Sequence, residues 1–401
     1  MWVLVPPESW DVDLTLSSRT LVPMPRPQLN RARERLVSLA GAGLGHLDYY
    51  AAAMEVVRTA IPYDAMCIGS VDPATNMITD SGKVDLVDEG DSTFLYHEYA
   101  VDDVNQYVDL AARDESASIL LLSTGGDPAR SARYRNVVKP VLGAEHELRG
   151  IARAAGLLWG AYSIYRDKDS TAFNLAEAEF MAGLEQAIAM GIRSAMVAGV
   201  AQQTLESGEG PAVLVYDHQG RLLHATATAA RRVADLGGEL WGRTAVPVSS
   251  VVSALRAGRA VSRLRSRGAD GCWYTIHAAP FTAGDAVAQI AVTIEQSRPP
   301  EVLPLIISGY GLSEREAEIV LLMLRGESTH AIAAALFLSP YTVQDHFKSI
   351  FEKVGVSSRR EVATRIFFGQ YADHQGARAS AAGCDQAATT PPGSGPRPVS
   401  R

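Results

Sequence analysis

Cysteine is scarce in this sequence, and its placement excludes two kinds of site. The 401 residues include only Cys67, Cys272 and Cys384. Because no C-x-x-C pair occurs, neither a zinc ribbon nor a dithiol redox centre is expected. A small, odd number of cysteines is typical of proteins in a reducing compartment, so the sequence predicts a cytoplasmic location.

Long apolar runs and a surplus of positive charge are also missing. No stretch of about eighteen apolar residues occurs, so neither a membrane span nor a membrane partner is expected. The first residues, MWVLVPPESW, lack the basic flank of a signal peptide. Lysine and arginine number 37 against 45 aspartates and glutamates, which gives a formal net charge of −8. This balance excludes a protein that coats nucleic acid through bulk charge.

The motifs of common catalytic and metal sites are absent as well. Two His-Glu pairs, at 97–98 and 146–147, begin an H-E-x-x-H pattern, but Val101 and Gly150 stand where the second histidine belongs. We interpret both pairs as solvated residues. Three further histidines are interpreted as ordinary strand residues rather than haem or pocket ligands: His218, His224 and His277. The sequence therefore predicts no catalytic residue, no metal site and no enzyme.

What the sequence does contain is a run of capped helices over residues 311–372. Four serines mark the predicted helix starts: Ser313, Ser328, Ser339 and Ser358. The first and last of these have a glutamate three residues later, as in a capping box, and Pro340 follows the third at the first helical position. Gly326 and Gly355 fall where left-handed glycines end helices. The spacing predicts four short helices.

Apolar residues in this region recur at helical spacing and predict one small core. They are Ile319, Leu322, Met323, Ile332, Ala333, Leu336, Val343, Phe347, Ile350 and Phe351. Between Leu336 and Thr342 the chain turns sharply and a new helix begins. This arrangement predicts a helix-turn-helix whose second helix enters the major groove of DNA.

The same stretch resembles a known family. The patterns L-S-x-R-E-x-E, I-A-x-x-L-x-L-S-x-x-T-V-x-x-H and I-x-x-K-x-G-V-x-S-R occur without gaps over about sixty residues. They resemble the C-terminal DNA-binding domain of LuxR-type (NarL/FixJ) regulators. Three positions depart from the family pattern. Gln344 occupies the position of the usual lysine, and Val354 that of the usual leucine. Asp345 is an acidic residue on the groove-facing helix. We expect Gln344 and Asp345 to alter DNA contacts without affecting the fold.

Roles for individual residues follow from the predicted recognition helix. Base contacts are expected from Gln344, Asp345 and Lys348, since these side-chain types suit adenine, cytosine and guanine respectively. An ion pair between Asp345 and Lys348 is an equal alternative. Phosphate contacts are expected from Thr342, His346 and Lys353. The resemblance implies that the last helix forms a dimer contact, through Ile366 and Phe367.

Charge within this region is balanced. Residues 311–370 contain seven lysines and arginines and seven aspartates and glutamates. DNA affinity is therefore expected to depend on local placement and on dimerisation rather than on net charge.

Residues 31–200 predict an α/β domain behind a proline-containing leader, 1–30. Helices are predicted at 30–39, 49–60, 101–110 and 134–142, and strands at 65–71, 147–154 and 157–165. The order of a strand, a loop with Phe173 and a long helix from Asn174 resembles the end of a GAF sensor domain. The apolar stripe of that helix, predicted to run to Leu205, either covers its own sheet or continues as a signalling or dimer helix.

Residues 205–297 predict a second α/β domain. Strands at 212–216 and 221–226 flank a D-x-x-G hairpin turn, a helix spans 228–236, and a strand pair covers 271–281 and 286–295. The hairpin and the WYTIHAAPF strand resemble a PAS domain, with Thr226 where such domains usually have asparagine. Residues 298–310 are predicted to be a linker, and 373–401 a disordered tail.

The resulting fold class is multidomain: an α/β GAF-like sensor, an α/β PAS-like domain and an all-α, four-helix LuxR-type helix-turn-helix. The expected function is a cytoplasmic, dimeric, DNA-binding transcriptional regulator. The expected partners are double-stranded DNA and a second copy of the chain. Two further partners are left open: RNA polymerase, and a small-molecule effector of unspecified chemistry in either sensor. No cofactor is predicted. Two alternatives remain: an enzyme domain at 48–200 with a DNA-binding appendage, and a sigma-factor-like protein.

Overall fold

The computed structural model describes residues 26–366 apart from 89, 114, 199–210, 260–262 and 284–285. Three units follow one another along the described chain: an N-terminal α/β unit, a second α/β unit and a helical third unit. The mixed α/β content expected before the helical unit is confirmed. The predicted tail and most of the predicted leader lie outside the described residues.

The N-terminal unit is an antiparallel sheet flanked by helices. Its elements are α1 (Arg26–Ala40), α2 (His46–Arg58), β1 (Ala65–Asp72), β2 (Met77–Ile78), β3 (Gly82–Val84), α3 (Asp91–Tyr99), α4 (Tyr107–Ala112), β4 (Ala117–Ile119), α5 (Leu120–Ser123), β5 (His146–Ala154), β6 (Leu157–Arg166) and α6 (Leu175–Val197). The sheet order is β2-β1-β6-β5-β4, and β3 also pairs with β1. Ala155 and Gly156, both at positive φ, make the tight hairpin between β5 and β6 that the sequence predicted.

Two predicted helices of this unit are shorter than expected. The helix predicted at 101–110 begins only at Tyr107, because the Gln106 amide donates to the carbonyls of His97, Glu98 and Val101 and fixes a turn before it. The helix predicted at 134–142 is a five-residue π-turn, Tyr134–Val138. Helix α3, which no local pattern indicated, packs on the second unit.

Helix α6 is buried almost all round. Its start is fixed by a capping box between Asn174 and Glu177, and its predicted apolar stripe is buried within the chain. On another side, Gly191 lies against the Tyr49 ring so closely that a Cβ would overlap it. Of the helix's described residues only Leu175, Glu179 and Gln186 are exposed, so this span offers no apolar stripe to a second helix.

The second unit is a five-stranded antiparallel sheet of order β8-β7-β11-β10-β9. Its elements are β7 (Ala212–Asp217), β8 (Leu222–Ala225), α7 (Ala229–Asp235), α8 (Val246–Arg256), β9 (Arg263–Arg267), β10 (Trp273–Ala283) and β11 (Ala286–Gln296). The predicted hairpin turn is confirmed: the Asp217 carboxylate accepts from the amides of Gln219 and Arg221, and Gly220 is at φ +82°. Thr226 keeps the following turn, since its hydroxyl accepts from the Val213 amide at 3.0 Å.

The first two units share one apolar core instead of packing as separate modules. Ile78 and Tyr99 of the N-terminal unit lie in the same buried cluster as Val251 and Ile276 of the second. The Ser250 hydroxyl donates to the Ile78 carbonyl at 2.8 Å across this contact. Burial of one continuous apolar surface ties the folding of the two units together.

A buried ion pair crosses the same contact. The Arg265 guanidinium donates to both carboxylate oxygens of Asp72, at 2.6 and 3.1 Å, and the Arg265 amide donates to the second oxygen. The Asp72 side chain is fully buried. The remaining guanidinium nitrogen of Arg265 donates to the Glu301 carbonyl at 3.2 Å.

Glu301 belongs to α9 (Pro299–Gly309), which corrects the prediction of a linker at 298–310. The two prolines occupy the first helical turn, where no amide is needed, and the Glu301 carboxylate accepts from the Arg298 amide at 2.8 Å. Val302 and Ile306 are fully buried. The apolar periodicity of the segment outweighs its proline-rich start, and α9 packs against α6.

The third unit comprises α10 (Glu314–Leu324), α11 (Thr329–Ala335), α12 (Pro340–Val354) and α13 (Arg359–Ile366). These are the four short helices that the caps predicted. Val343, Phe347 and Ile350 of α12 are buried against the other helices, as the apolar spacing indicated.

We predict that Arg265→Met destabilises the protein by about 3 kcal/mol, because it leaves the buried Asp72 carboxylate without its counter-charge. Guanidinium unfolding followed by tryptophan fluorescence measures this, since Trp159 and Trp273 are buried in the two units. The matched control is Arg243→Met, which removes an exposed pair with Asp88 between the same two units and should cost less than about 1 kcal/mol. If both variants lost the same free energy of unfolding, the buried Asp72–Arg265 pair would not have the stabilising role assigned to it.

Candidate nucleic-acid interface

The ends of the helices in the third unit are fixed by the predicted local signals. The Ser313 hydroxyl accepts from the Glu316 amide while the Glu316 carboxylate accepts from the Ser313 amide, which closes the capping box on α10. The Ser339 hydroxyl accepts from the Thr342 amide at 3.0 Å and caps α12. Gly355 ends α12 in the left-handed region. Both ends of helix α12 are thus defined by a cap.

The turn between α11 and α12 carries a strained, exposed aromatic residue. Phe337 has φ +56° and a side chain that is 96% exposed. A bulky residue at positive φ costs about 1–2 kcal/mol relative to the ordinary helical region. The turn is held by the Leu338 amide, which donates to the Ala333 carbonyl at 2.8 Å.

The three residues expected to contact bases lie on the exposed face of α12. Gln344, Asp345 and Lys348 are all exposed. The Lys348 ammonium donates to the Asp345 carboxylate at 2.8 Å, so the ion pair weighed as an alternative is present in the free chain. Hydrogen bonding to Asp345 raises the pKa of Lys348. The pair is exposed, and the ammonium keeps two further donors, so a base contact by Lys348 is compatible with it.

The three residues expected to contact phosphate differ in availability. Thr342 is half-buried and its hydroxyl lies 2.8 Å from that of Ser339, and His346 is half-buried as well. Lys353 donates to the buried Glu316 carboxylate at 2.6 Å. The phosphate contact of Lys353 stays a prediction; in this conformation the ammonium completes the cap of α10 from thirty-seven residues away.

The Glu316 carboxylate is a buried charge that accepts hydrogen bonds from three residues. Burial alone would raise its pKa, but hydrogen bonds from Lys353, from the Ser349 hydroxyl and from the Ser313 amide outweigh burial and lower the pKa to about 2. Glu316 thereby joins the start of α10 to the end of α12. Sequence analysis assigned it only the capping role, because the contact with Lys353 is not local.

The expected dimer contact is not available as predicted. Ile366 is fully buried within the chain, where α13 packs against α9, so it is a core residue in this conformation. Phe367 lies outside the described residues. A dimer contact through the last helix stays a prediction.

Tyr341 is a further exposed residue of α12, which was not among the expected contacts. Tyr341 is the second residue of α12 and its side chain is 70% exposed. The signal was present in the sequence, because Tyr341 precedes Gln344 and Asp345 by three and four residues and therefore shares their helix face.

A cavity of about 60 Å³ lies in the N-terminal unit between the sheet and α3. Its lining is mostly apolar and includes Cys67, Phe94 and Tyr107, together with an ion pair between Lys83 and Asp91. Burial raises the pKa of the Cys67 thiol to about 11, which keeps it protonated at neutral pH. Within the described ranges there is no cluster of three metal-binding side chains, and no described helix is long and apolar enough to cross a membrane.

Residues 310–366 match the family described as bacterial regulatory proteins, luxR family. The probable transcriptional regulatory protein NarL of Mycobacterium tuberculosis is 46% identical over 48 residues, which is 12% of this chain and 22% of NarL. The spore germination protein GerE of Bacillus subtilis is 33% identical over 55 residues, 14% of this chain and 74% of GerE. The match is thus confined to the third unit, and it spans about a fifth of the length of NarL.

Among solved structures, the chain is similar to the GAF domain of a phosphoenolpyruvate-protein phosphotransferase from Coxiella burnetii. The sequence identity is 15%, the coverage is 41% of this chain and 93% of that domain, and the TM-score is 0.30. A likeness of this strength does not assign the fold of the N-terminal unit.

We predict that Lys353→Ala destabilises α10 and α12 by about 2 kcal/mol at pH 7. Because the pKa of Glu316 is lowered to about 2 from 4.5, the stabilisation is fully present above pH 4.5 and is lost as pH falls toward 2. Amides of α10 and α12 should therefore exchange faster in the variant than in the wild type at pH 7, and at similar rates in both near pH 2.

The control for this prediction is Lys348→Ala, which breaks the exposed pair with Asp345 and should leave amide exchange in α10 unchanged. A Lys353→Ala variant with the same exchange as the wild type at neutral pH would show that the Glu316 contact does not stabilise the unit.

Proposed function

Because the chain belongs to the LuxR family of bacterial regulatory proteins through residues 310–366, we propose that it is a transcriptional regulator that binds double-stranded DNA as a homodimer. The observation that carries the proposal is the family match over the whole helix-turn-helix. The exposed, capped face of α12 that bears Gln344 supports it, since the second helix of this motif is the one that reads the major groove.

Charge supports the requirement for two copies. The seven basic residues of 311–370 are balanced by seven acidic ones, and Lys348 and Lys353 are paired within the chain. One copy therefore gains little from counterion release. Two copies on half-sites about 10 base pairs apart would double the base contacts without any increase in net charge.

The first two units would carry the signal. An effector that enlarged the small cavity beside Phe94 would act on α3, which packs directly on α8 of the second unit. From there Arg265 reaches Asp72 in one direction and α9 in the other. Mass spectrometry of the natively purified protein identifies any molecule retained in the cavity.

Neither alternative function is favoured by a specific observation. Family membership points to a regulator rather than to an enzyme as the principal role. A sigma factor would need a helical polymerase-binding domain, whereas the described residues 65–296 contain two antiparallel sheets. RNA polymerase remains a proposed partner of the regulator.

The proposal is tested by selecting genomic fragments with the full-length chain at low salt, followed by footprinting. We expect one enriched sequence with two half-sites about 10 base pairs apart. The variants Gln344→Ala and Lys348→Ala should each weaken binding to the best site by about 5- to 150-fold, the range for one base contact.

The matched control is Arg221→Ala, which removes one exposed positive charge from the second unit and should bind like the wild type. Absence of any enriched sequence with the wild-type chain would refute the proposed function.

A further inference from the structure

Four exposed residues form one continuous stripe along α12. Tyr341, Gln344, Asp345 and Lys348 are exposed, and their spacing of three, four and seven residues places them on one helix face. The stripe begins at the second residue of the helix, and in this motif it is the N-terminal part of the helix that contacts base edges.

The two charged residues of this stripe form an ion pair with each other. Asp345 and Lys348 are joined at 2.8 Å, so part of their hydrogen-bonding capacity is used within the chain. The other half carries a neutral amide, on Gln344, and an aromatic ring, on Tyr341, that is 70% exposed. Within the described residues the two neutral side chains have no hydrogen-bond partner, and both are exposed to a ligand in the groove.

The chemistry of these two side chains points to adjacent A·T pairs. A glutamine amide can bind adenine through N6 and N7, and an apolar surface can contact the thymine C5-methyl group. Residues three apart on a helix are separated by about 4.5 Å along its axis. With α12 in the major groove, the two side chains would therefore reach base pairs close to each other.

We propose that Tyr341 is a specificity-determining residue that recognises a thymine methyl group, next to an adenine recognised by Gln344. This inference rests on the proposed function and goes beyond it by naming a sequence feature of the half-site. It adds Tyr341 to the base contacts expected from Gln344, Asp345 and Lys348. Because the Tyr341 ring is mostly exposed, its replacement removes a surface contact and leaves the core of the third unit intact.

The test uses the full-length chain and the duplex that it selects. Each thymine of the half-site is replaced in turn by deoxyuridine, which removes only the C5-methyl group. For the wild type we expect one position at which the replacement weakens binding by about 3- to 5-fold, as for one buried methyl group. Tyr341→Ala should bind the unmodified duplex about 5-fold or more weakly and be insensitive to deoxyuridine at that position.

Two further variants sharpen the result. Tyr341→Phe should remain sensitive to deoxyuridine at the same position, since the ring rather than the hydroxyl makes the contact. Trp241→Ala, which removes another exposed aromatic side chain, 67% exposed in the second unit, should match the wild type at every position. A sequence selected by the wild type, with the same deoxyuridine profile for wild type and Tyr341→Ala, would overturn this assignment alone. Failure of the wild type to select any sequence would overturn the proposed function and this assignment with it.

Discussion

The arrangement of the three units depends on the buried ion pair between Asp72 and Arg265. Both charges are withdrawn from water at the contact of two sheets, and a buried charge is tolerated only while its partner and hydrogen bonds are in place. The same guanidinium reaches the Glu301 carbonyl in α9, the helix that precedes the helix-turn-helix. A change that separates the first two units therefore also changes the support of α9.

In the third unit, two lysines are paired with acidic residues of the same unit. Lys353 stabilises the fold through Glu316, and Lys348 is paired with Asp345 on the exposed face. Two of the cations expected to attract DNA are thus already neutralised within the chain. In the proposed function, binding therefore depends more on the shape and the neutral groups of α12, and less on salt-sensitive attraction to phosphates. The proposed reading by Tyr341 and Gln344 lies at the start of α12, next to the strained turn at Phe337.

Local signals were sufficient to predict the helix-turn-helix, because Ser313, Ser339 and Gly355 act on residues within one turn of themselves. Contacts between distant residues were not predictable in this way. Glu98 and Glu147, interpreted as solvated, are buried partners of Arg149 and Arg133, which lie 51 and 14 positions away. Helix α9 was not predicted because its prolines resemble a linker; its apolar periodicity gained weight only from the packing against α6.

The central claim is that the exposed N-terminal part of α12 and the turn before it bind duplex DNA while the first two units keep their contact. Amide hydrogen exchange of the full-length chain, with and without its selected duplex, tests this directly. The account predicts slower exchange across residues 337–348 on DNA binding and unchanged exchange in β1 and β9, where Asp72 and Arg265 meet. Slower exchange confined to residues 65–296, with none across 337–348, would contradict it.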